Sequence, residues 1–173
     1  MSLEFIRCTS EHVPALSKIG RLAYKQSYTD IWKGEDVSLY IEKSFSEEAL
    51  QKNIEHHNFQ LFLIRHDEQD AGLIKIRIDS AIGDFKAKEA MELEKIYLAE
   101  DFTNKGIGNR AFEFVCFFAK THHKKALRVD VMTTSPALKF YQRAGFVTIS
   151  TYDLAYPGIK KEHREMQRML LKL

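Results

Sequence analysis

Apolar positions recur with a helical spacing in the first third of the chain and alternate with polar ones in most of the rest. A short strand is predicted at residues 5–7, followed by a helix that Thr9 or Ser10 caps and that runs to about Lys25. Residues 26–36 have the aromatic and polar composition of a loop. A second helix is predicted to begin around Ser46, where two glutamates follow a good N-cap residue.

The remainder of the chain contains strands and two helices. Strands are predicted at residues 59–66 and 73–79, which form a hairpin, and at residues 91–98, 127–132, 146–154 and 165–173. A strongly apolar helix follows the glycines near residue 107, and a short helix is predicted at residues 135–145. This order indicates an α/β or α+β fold with a sheet of mixed direction. No repeat or linker interrupts it, so a single domain covering residues 1–173 is predicted.

The composition is that of an ordinary globular protein, with 45% hydrophobic and 29% charged residues. A formal net charge of +2 is too balanced to indicate a nucleic acid or an anionic membrane surface as partner. No apolar run approaches the roughly 20 residues of a membrane span, and no secretory segment is recognisable at the start. With only two cysteines, a disulfide framework is excluded and a cytoplasmic location is the expectation.

The segment TNKGIGNR, residues 103–110, lies between a predicted strand and a predicted helix. Gly106 and Gly108 let the backbone bend tightly and approach a ligand without a Cβ in the way. The first amides of the following helix have no intrahelical acceptor and point outward at the positive end of its dipole. The loop therefore predicts an anion site suited to a diphosphate. A glycine-bearing turn that merely starts a helix is the alternative.

Two other phosphate-binding motifs do not fit this loop. Walker A requires Lys-Ser or Lys-Thr after its last glycine, and Asn109 and Arg110 stand there instead. The dinucleotide fingerprint fits formally at Gly106, Gly108 and Ala111. However, its first glycine should follow the strand almost directly, and seven residues, AEDFTNK, intervene. A nicotinamide or flavin enzyme is therefore disfavoured.

Residues 93–146 resemble the two motifs of the GNAT superfamily of N-acetyltransferases. LEKIYLAEDFTNKGIGNRAFEF resembles the strand, loop and glycine motif that open its central helix, and SPALKFYQRAGF resembles its second motif. The order and spacing of the motifs fit, and the flanking elements extend the fit over nearly the whole chain. The resemblance implies a mixed, mainly antiparallel central sheet flanked by helices. It also implies acetyl-CoA as co-substrate, without a metal, for transfer of an acetyl group to a primary amine.

The sequence departs from the family pattern at two positions. Thr103 stands where an Arg or Gln usually opens the glycine motif, which removes at most one side-chain contact because the diphosphate is held largely by backbone amides. Thr134 stands in place of the Asn before the second helix. Ser135 is a good N-cap and Pro136 a good first helical residue, so the helix start is expected to survive.

The resemblance also implies which residues hold the co-substrate. The strand at residues 96–98 should splay from its neighbour, so that its free backbone groups bind pantetheine and the thioester carbonyl. The basic position in the second helix often meets the 3′-phosphate. The implied contacts are Ile96, Tyr97 and Leu98 on the strand, Asn104, Lys105, Gly106, Ile107, Gly108 and Asn109 in the loop, and Thr134, Ser135 and Arg143 around the second helix.

Two residues are predicted to carry the chemistry. Tyr141 matches the family's general acid, which donates a proton to the departing thiolate. The alternative is that it only completes the apolar face of its helix. Glu94 matches a glutamate that polyamine acetyltransferases of the superfamily use as a base acting through water. Alternatively, Glu94 is solvated and bulk water takes the amine proton.

The amino-terminal half resembles a bacterial PaiA-like group of spermidine/spermine acetyltransferases, through IRCTSEHVPALSKIG and SFSEEAL. Between these segments, Asp30, Glu35 and Asp36 accompany Tyr28 and Trp32. Acidic and aromatic side chains together hold a polycation by charge and by cation–π contact. A polyamine is therefore the predicted small-molecule acceptor, with Tyr28, Trp32 and Glu35 in its site. A peptide or protein amine is the alternative acceptor.

A different class of function is a module that binds acetyl-CoA without catalysis, which the altered positions Thr103 and Thr134 would suit. Tyr141 and the intact glycine loop favour the enzyme. The paired histidines at residues 56–57 and 122–123 do not indicate a metal site, because no third ligand recurs at a plausible spacing. An exposed apolar strand near the carboxyl end would permit a homodimer.

Overall fold

The computed structural model describes residues 1–34 and 36–173. The strands are β1 (Leu3–Arg7), β2 (Phe59–His66), β3 (Gln69–Arg77), β4 (Ala90–Leu98), β5 (Ala126–Met132), β6 (Val147–Asp153) and β7 (Glu165–Lys172). The helices are α1 (Val13–Tyr28), α2 (Asp36–Phe45) and α3 (Glu47–Glu55) before β2, α4 (Ile107–Thr121) between β4 and β5, and α5 (Ala137–Arg143) between β5 and β6.

Three helices precede β2, where the sequence predicts two. The prediction missed α2, whose residues Val37, Ile41 and Phe45 recur at helical spacing and are buried. α1 also continues past Lys25 to Tyr28, so it includes three residues, Tyr28 among them, that the sequence predicts as loop. The start of α3 is as predicted, because the Ser46 side chain accepts a hydrogen bond from the Ala49 amide.

All seven strands form one sheet in the order β1-β2-β3-β4-β5-β7-β6. Every neighbouring pair is antiparallel except β4 and β5, which are parallel and are joined through α4. The predicted mixed, mainly antiparallel sheet flanked by helices is confirmed.

Apolar side chains fill both faces of the sheet. On one face, α4 buries Ile107, Ala111, Val115 and Ala119, which are spaced four apart and pack on strands β2 to β5 and β7. On the other face, α1, α2 and α3 bury Leu16, Ile41 and Leu50 against β2 and β3. These helices cover only part of that second face, so the side chains of β5 and β7 that point the same way meet an open cleft.

β6 ends the sheet, and its outer side chains are exposed, including Val147 and Ile149. This is the exposed strand on which the homodimer was predicted, and the dimer stays a prediction. In the described residues, no helix combines the length and the hydropathy that crossing a bilayer requires.

Candidate active site

β4 and β5 run side by side for a short distance and then diverge. Their pairing joins Ala90, Met91 and Glu92 to Ala126, Leu127 and Arg128. Beyond it, β4 remains paired with β3 up to Leu98, whereas β5 remains paired with β7 up to Met132. The cleft between them opens into a cavity of about 550 Å³, called the main cavity below. Ile96 and Tyr97 line it, while Leu98 packs on the opposite face of the sheet beside α4.

Glu94 is the extra residue of a β-bulge in β4. Lys75 pairs with Lys95 and Ile76 pairs with Leu93, so Glu94 has no partner in β3. One inserted residue reverses the face that every later side chain takes. Leu93 accordingly packs in the core beside α4, where it borders the main cavity, whereas Glu94, Lys95 and Tyr97 line the cavity from the other face of the sheet.

Two basic side chains of β3 meet Glu94. Lys75 Nζ donates a hydrogen bond to Oε1 at 2.8 Å, and Arg77 Nη2 lies 3.7 Å from Oε2. Oε2 and Arg77 Nε are buried without a hydrogen-bond partner in the described part of the chain. A buried polar atom without a partner is unfavourable, so this arrangement of Glu94 and Arg77 is costly to the fold.

The main cavity has an unusual aromatic lining. All seven tyrosines of the chain and its one tryptophan line it, whereas the phenylalanines pack elsewhere in the described residues. Tyrosine places a hydroxyl where a polar partner or water can reach it, and phenylalanine has no such group. The tyrosines are Tyr24, Tyr28, Tyr40, Tyr97, Tyr141, Tyr152 and Tyr156.

An ammonium group already lies among these rings. Lys95 Nζ is 5.8 Å from the ring centre of Tyr40, 5.9 Å from that of Phe45 and 5.7 Å from that of Tyr97. It also donates to the Tyr40 hydroxyl at 3.3 Å. These distances lie within the range in which a cation is attracted to an aromatic face. The aromatic wall is thus chemically suited to ammonium, and Lys95 occupies part of it.

Tyr141 projects from α5 into the main cavity. Burial raises the pKa of its phenol, and the neighbouring Tyr28 raises it further. The group is therefore protonated throughout the neutral range and can act only as a donor of its proton. Its ring packs against Phe112 and Phe146, so the predicted apolar contacts are present together with access to the cavity.

The glycine loop presents unpaired backbone amides. Gly106 is left-handed, with φ of 76°, and directly precedes α4. Among the described residues, the amides from Asn104 to Asn109 donate to no acceptor, and the first bond back to the loop joins the Arg110 amide to the Gly106 carbonyl. A Cβ on Gly108 would meet only Leu98 Cδ1, at 3.9 Å. The described residues therefore leave the space in front of Gly108 open, and a diphosphate bound to the loop amides requires that space.

The start of α5 carries the other predicted co-substrate residues. Ser135 lines the main cavity, and its side chain accepts a hydrogen bond from the Ala137 amide. The helix begins at Ala137 with Pro136 as its N-cap, one residue later than predicted. The Thr134 hydroxyl lies 2.7 Å from His163 Nδ1 on the connection to β7. Arg143 is exposed at the last residue of α5. The contacts of these three residues with acetyl-CoA stay predictions.

The predicted acceptor residues separate into those near the cavity and those away from it. Tyr28 and Trp32 line it, although the Trp32 indole N–H is already bonded to the Tyr24 hydroxyl at 3.0 Å. Glu35 lies outside the described residues. Asp30 is exposed and does not line the cavity, so the prediction that it supplies negative charge there is wrong. A residue at the end of a helix can face away from a site that its neighbours line.

Sequence reasoning missed a charged cluster on the open face of β5 and β7. Asp130 accepts hydrogen bonds from Arg128, from Arg168 and from the Tyr152 hydroxyl, the last at 2.8 Å. Burial alone would raise the pKa of Asp130, but these three donors outweigh it and lower the pKa to about 2. The alternation of LRVDVM and EMQRMLLKL predicts that Arg128, Asp130 and Arg168 point away from the apolar face of their strands. It does not predict that the two strands are neighbours, which is what brings these side chains together.

No group of three or more His, Cys, Asp or Glu side chains suited to a metal ion occurs in residues 1–34 and 36–173. The histidine pairs also lie apart from the main cavity.

A family model described as an acetyltransferase (GNAT) domain matches residues 29–167. A curated relative, an uncharacterized N-acetyltransferase in the pepI 3′ region of Lactobacillus delbrueckii subsp. lactis, is 23% identical over 151 residues, which are 87% of each chain. The solved structure of PaiA N-acetyltransferase from Thermoplasma acidophilum in complex with coenzyme A matches all of both chains, with a TM-score of 0.78 and 21% identity. A mutant of the spermidine N-acetyltransferase SpeG from Vibrio cholerae matches 98% of this chain and 93% of its own, with a TM-score of 0.70 and 14% identity.

Proposed function

Because the chain belongs to the GNAT acetyltransferase family and is an acetyl-CoA-dependent N-acetyltransferase, we propose that its acceptor is a small cationic amine of the polyamine class. The observation that carries this proposal is the lining of the main cavity, which contains every tyrosine of the chain. Aromatic faces attract ammonium groups, and the tyrosine hydroxyls accept their hydrogen bonds.

The residues present fit acetyl-CoA. The unpaired amides of residues 104–109 suit its diphosphate, and the open space before Gly108 lets that group approach the backbone. Ile96, Tyr97 and Leu98 lie on the stretch of β4 that has diverged from β5, and they would hold the pantetheine arm. Thr134 and Ser135, which precede α5, and Arg143 at its end would meet the co-substrate from the other side. Bound there, acetyl-CoA supplies an activated acetyl group on a thioester.

The two catalytic roles follow from the surroundings of each side chain. Glu94 is assigned as the group that takes a proton from the acceptor ammonium, because it places a carboxylate in the wall of the main cavity. Tyr141 is assigned as the acid that gives a proton to the thiolate, because its phenol stays protonated at neutral pH.

One structure of the same fold is a spermidine N-acetyltransferase, but at 14% identity the likeness shows the fold alone. The polyamine proposal therefore rests on the lining of the main cavity.

The charges of the cavity favour a second candidate. Its acidic residues Glu92, Glu94 and Asp130 are outnumbered by its basic residues Arg77, Lys95, Arg128 and Arg168. A net positive lining suits an amine that also carries a carboxylate or lies on a peptide.

Release of free thiol from acetyl-CoA across an amine panel separates the two candidates. Spermidine, spermine and putrescine represent the first, and amino acids and short peptides the second, with a simple monoamine as the reference. A polyamine enzyme should give kcat/KM for spermidine at least about tenfold above the monoamine, equivalent to about 1.4 kcal/mol of transition-state binding. Preference for peptides over every polyamine would overturn the proposal.

A further inference from the structure

The two oxygens of Glu94 have different surroundings. Oε1 accepts the hydrogen bond from Lys75 at 2.8 Å. Oε2 has no hydrogen-bond partner in the described residues and lies 3.7 Å from Nη2 of Arg77, a residue that lines the main cavity. The carboxylate is therefore held through one oxygen, while the other is buried and makes no hydrogen bond among the described residues.

Lys75 contacts Glu94 from outside the main cavity. It lines a second cavity of about 280 Å³ and not the main cavity, whereas Glu94 lines both. The Lys75 side chain is 12% exposed, and its Nζ lies 4.2 Å from the ring centre of Phe59. Lys75 therefore has access to the carboxylate without access to an acceptor in the main cavity.

A lysine in this position is costly to the fold. Burial lowers the pKa of Lys75, and the ion pair with Glu94 only partly offsets that effect. A buried ion pair seldom stabilises a protein more than apolar residues of similar volume would. The bulge that brings Glu94 onto this face also interrupts the ladder at Lys75. The arrangement therefore indicates a role other than stability.

Several other charged or titratable side chains border the two cavities beside Glu94. From β3 this is Arg77, from β4 Glu92, Lys95 and Tyr97, from α2 Tyr40 and Lys43, and from the connection to β7 Tyr156. Across the described residues, Lys75 is the one that donates a hydrogen bond to Glu94. Arg77 is the nearest alternative cation, but it makes no hydrogen bond to the carboxylate.

We propose that Lys75 is a positioning residue, which anchors Glu94 through Oε1 and so holds its carboxylate in the wall of the main cavity, where it takes the proton of the acceptor ammonium. The inference rests on the base role assigned to Glu94 under the proposed function. In the step it serves, one N–H bond of the ammonium breaks, an O–H bond forms on the Glu94 carboxylate, and nitrogen keeps the electron pair.

The test compares Lys75→Met, Lys75→Arg and Glu94→Gln with the wild-type chain, using whichever amine of the panel gives the fastest thiol release. kcat and KM for the amine are measured for each, together with acetyl-CoA affinity by calorimetry. Lys75→Met should lower kcat roughly tenfold, because the carboxylate that takes the proton is no longer held in place. KM for the amine and the affinity for acetyl-CoA should change less than about twofold, because Lys75 touches neither.

Lys75→Arg should recover most of kcat, because arginine can donate a hydrogen bond to the same carboxylate oxygen. Lys43→Met is the matched control, because Lys43 borders the same second cavity without a bond to Glu94. A folded Lys75→Met protein with the wild-type kcat would overturn the inference, as would a Glu94→Gln variant of wild-type activity. Failure of the polyamine proposal is distinguishable, because it would appear in the wild-type chain as poor use of spermidine.

Discussion

Gly106 and Gly108 lie two residues apart at the start of α4, and only Gly106 needs to be glycine for its backbone. Gly106 is left-handed, with φ of 76°, whereas Gly108 is helical and its Cβ position is open except for Leu98 Cδ1 at 3.9 Å. Replacing Gly106 therefore strains the chain, while replacing Gly108 fills space in front of the loop. The second glycine is the one that tests ligand binding.

Gly108→Val should abolish detectable acetyl-CoA binding while the protein remains folded. The added side chain keeps the diphosphate from the loop amides, and hydrogen bonds to charged groups contribute about 1.5–3 kcal/mol each. Loss of two of them predicts a rise in Kd of more than about 100-fold, measured by calorimetry.

Lys120→Val is the control for this variant, because it introduces the same β-branched residue at an exposed position on the same helix, far from the loop. Its affinity should equal that of wild type. Unchanged affinity in a folded Gly108→Val protein would remove the co-substrate from this loop.

Tyr141→Phe should lower kcat by about 10²–10⁴-fold, the usual range for general acid catalysis, and leave acetyl-CoA affinity nearly unchanged. Because burial raises the pKa of this phenol, the wild-type rate should show no loss from its ionisation up to about pH 10. Steady-state thiol release across pH measures both effects.

Tyr152→Phe provides the comparison. Tyr152 also lines the main cavity, but its hydroxyl already donates a hydrogen bond to Asp130 at 2.8 Å. Its kcat should fall much less than that of Tyr141→Phe. A loss in Tyr141→Phe as small as that in Tyr152→Phe would mean that the Tyr141 hydroxyl does not supply the proton.

The sequence allows the sheet, the glycine loop and the short helix α5 to be predicted, because each rests on a local pattern. The helix α2 was missed because its apolar positions follow a polar, aromatic stretch containing Gly34, which indicates a loop. The bulge at Glu94 has no local signature, since either face assignment suits the alternation of MELEKIYL. Without the bulge, the meeting of Lys75, Glu94 and Lys95 cannot be deduced.

The charged cluster at Asp130 was also beyond local patterns. Its members come from β5, β6 and β7, and they meet only because β7 inserts between the other two strands. Strand order of this kind depends on how whole elements pack. Asp30 illustrates the opposite case. It is close in sequence to Tyr28 and Trp32, which line the cavity, but it does not line the cavity itself.

Lys95→Met should strengthen polyamine acceptors selectively. The change removes a positive charge from the cavity and vacates the rings of Tyr40 and Tyr97. With about 1 kcal/mol regained per ammonium contact, KM for spermidine should fall roughly fivefold, and KM for a monoamine by less. The difference should shrink with added salt, since screening acts over about 8–10 Å near physiological ionic strength.

Lys18→Met is the matched control, because it removes an equal charge from an exposed position on α1, outside the cavity lining. It should leave both KM values as they are. Equal changes for spermidine and monoamine in Lys95→Met, or none for either, would count against a polyamine acceptor and leave the acetyltransferase itself unaffected.

The stability of the fold should depend on Asp130 in a defined acidic window. Its pKa lies at about 2 in the folded chain, against an ordinary value of 3.8. A depressed pKa means that folding favours the charged form. The stabilisation is therefore fully present above pH 3.8 and is lost as the pH falls through about 2. A shift of this size corresponds to about 2 kcal/mol.

Asp130→Asn should accordingly lower the free energy of unfolding at pH 7 by about 2 kcal/mol, and Tm by roughly 4–8 °C, because Arg128 and Arg168 lose their shared carboxylate. The gap between wild type and variant should narrow from pH 4 downward, since the wild-type carboxyl becomes neutral as well. Asp84→Asn, at an exposed position, should show no gap at any pH. Urea unfolding at a series of pH values measures the gap, and a gap of constant size down to pH 2 would mean that the two arginines do not hold Asp130 in its charged form.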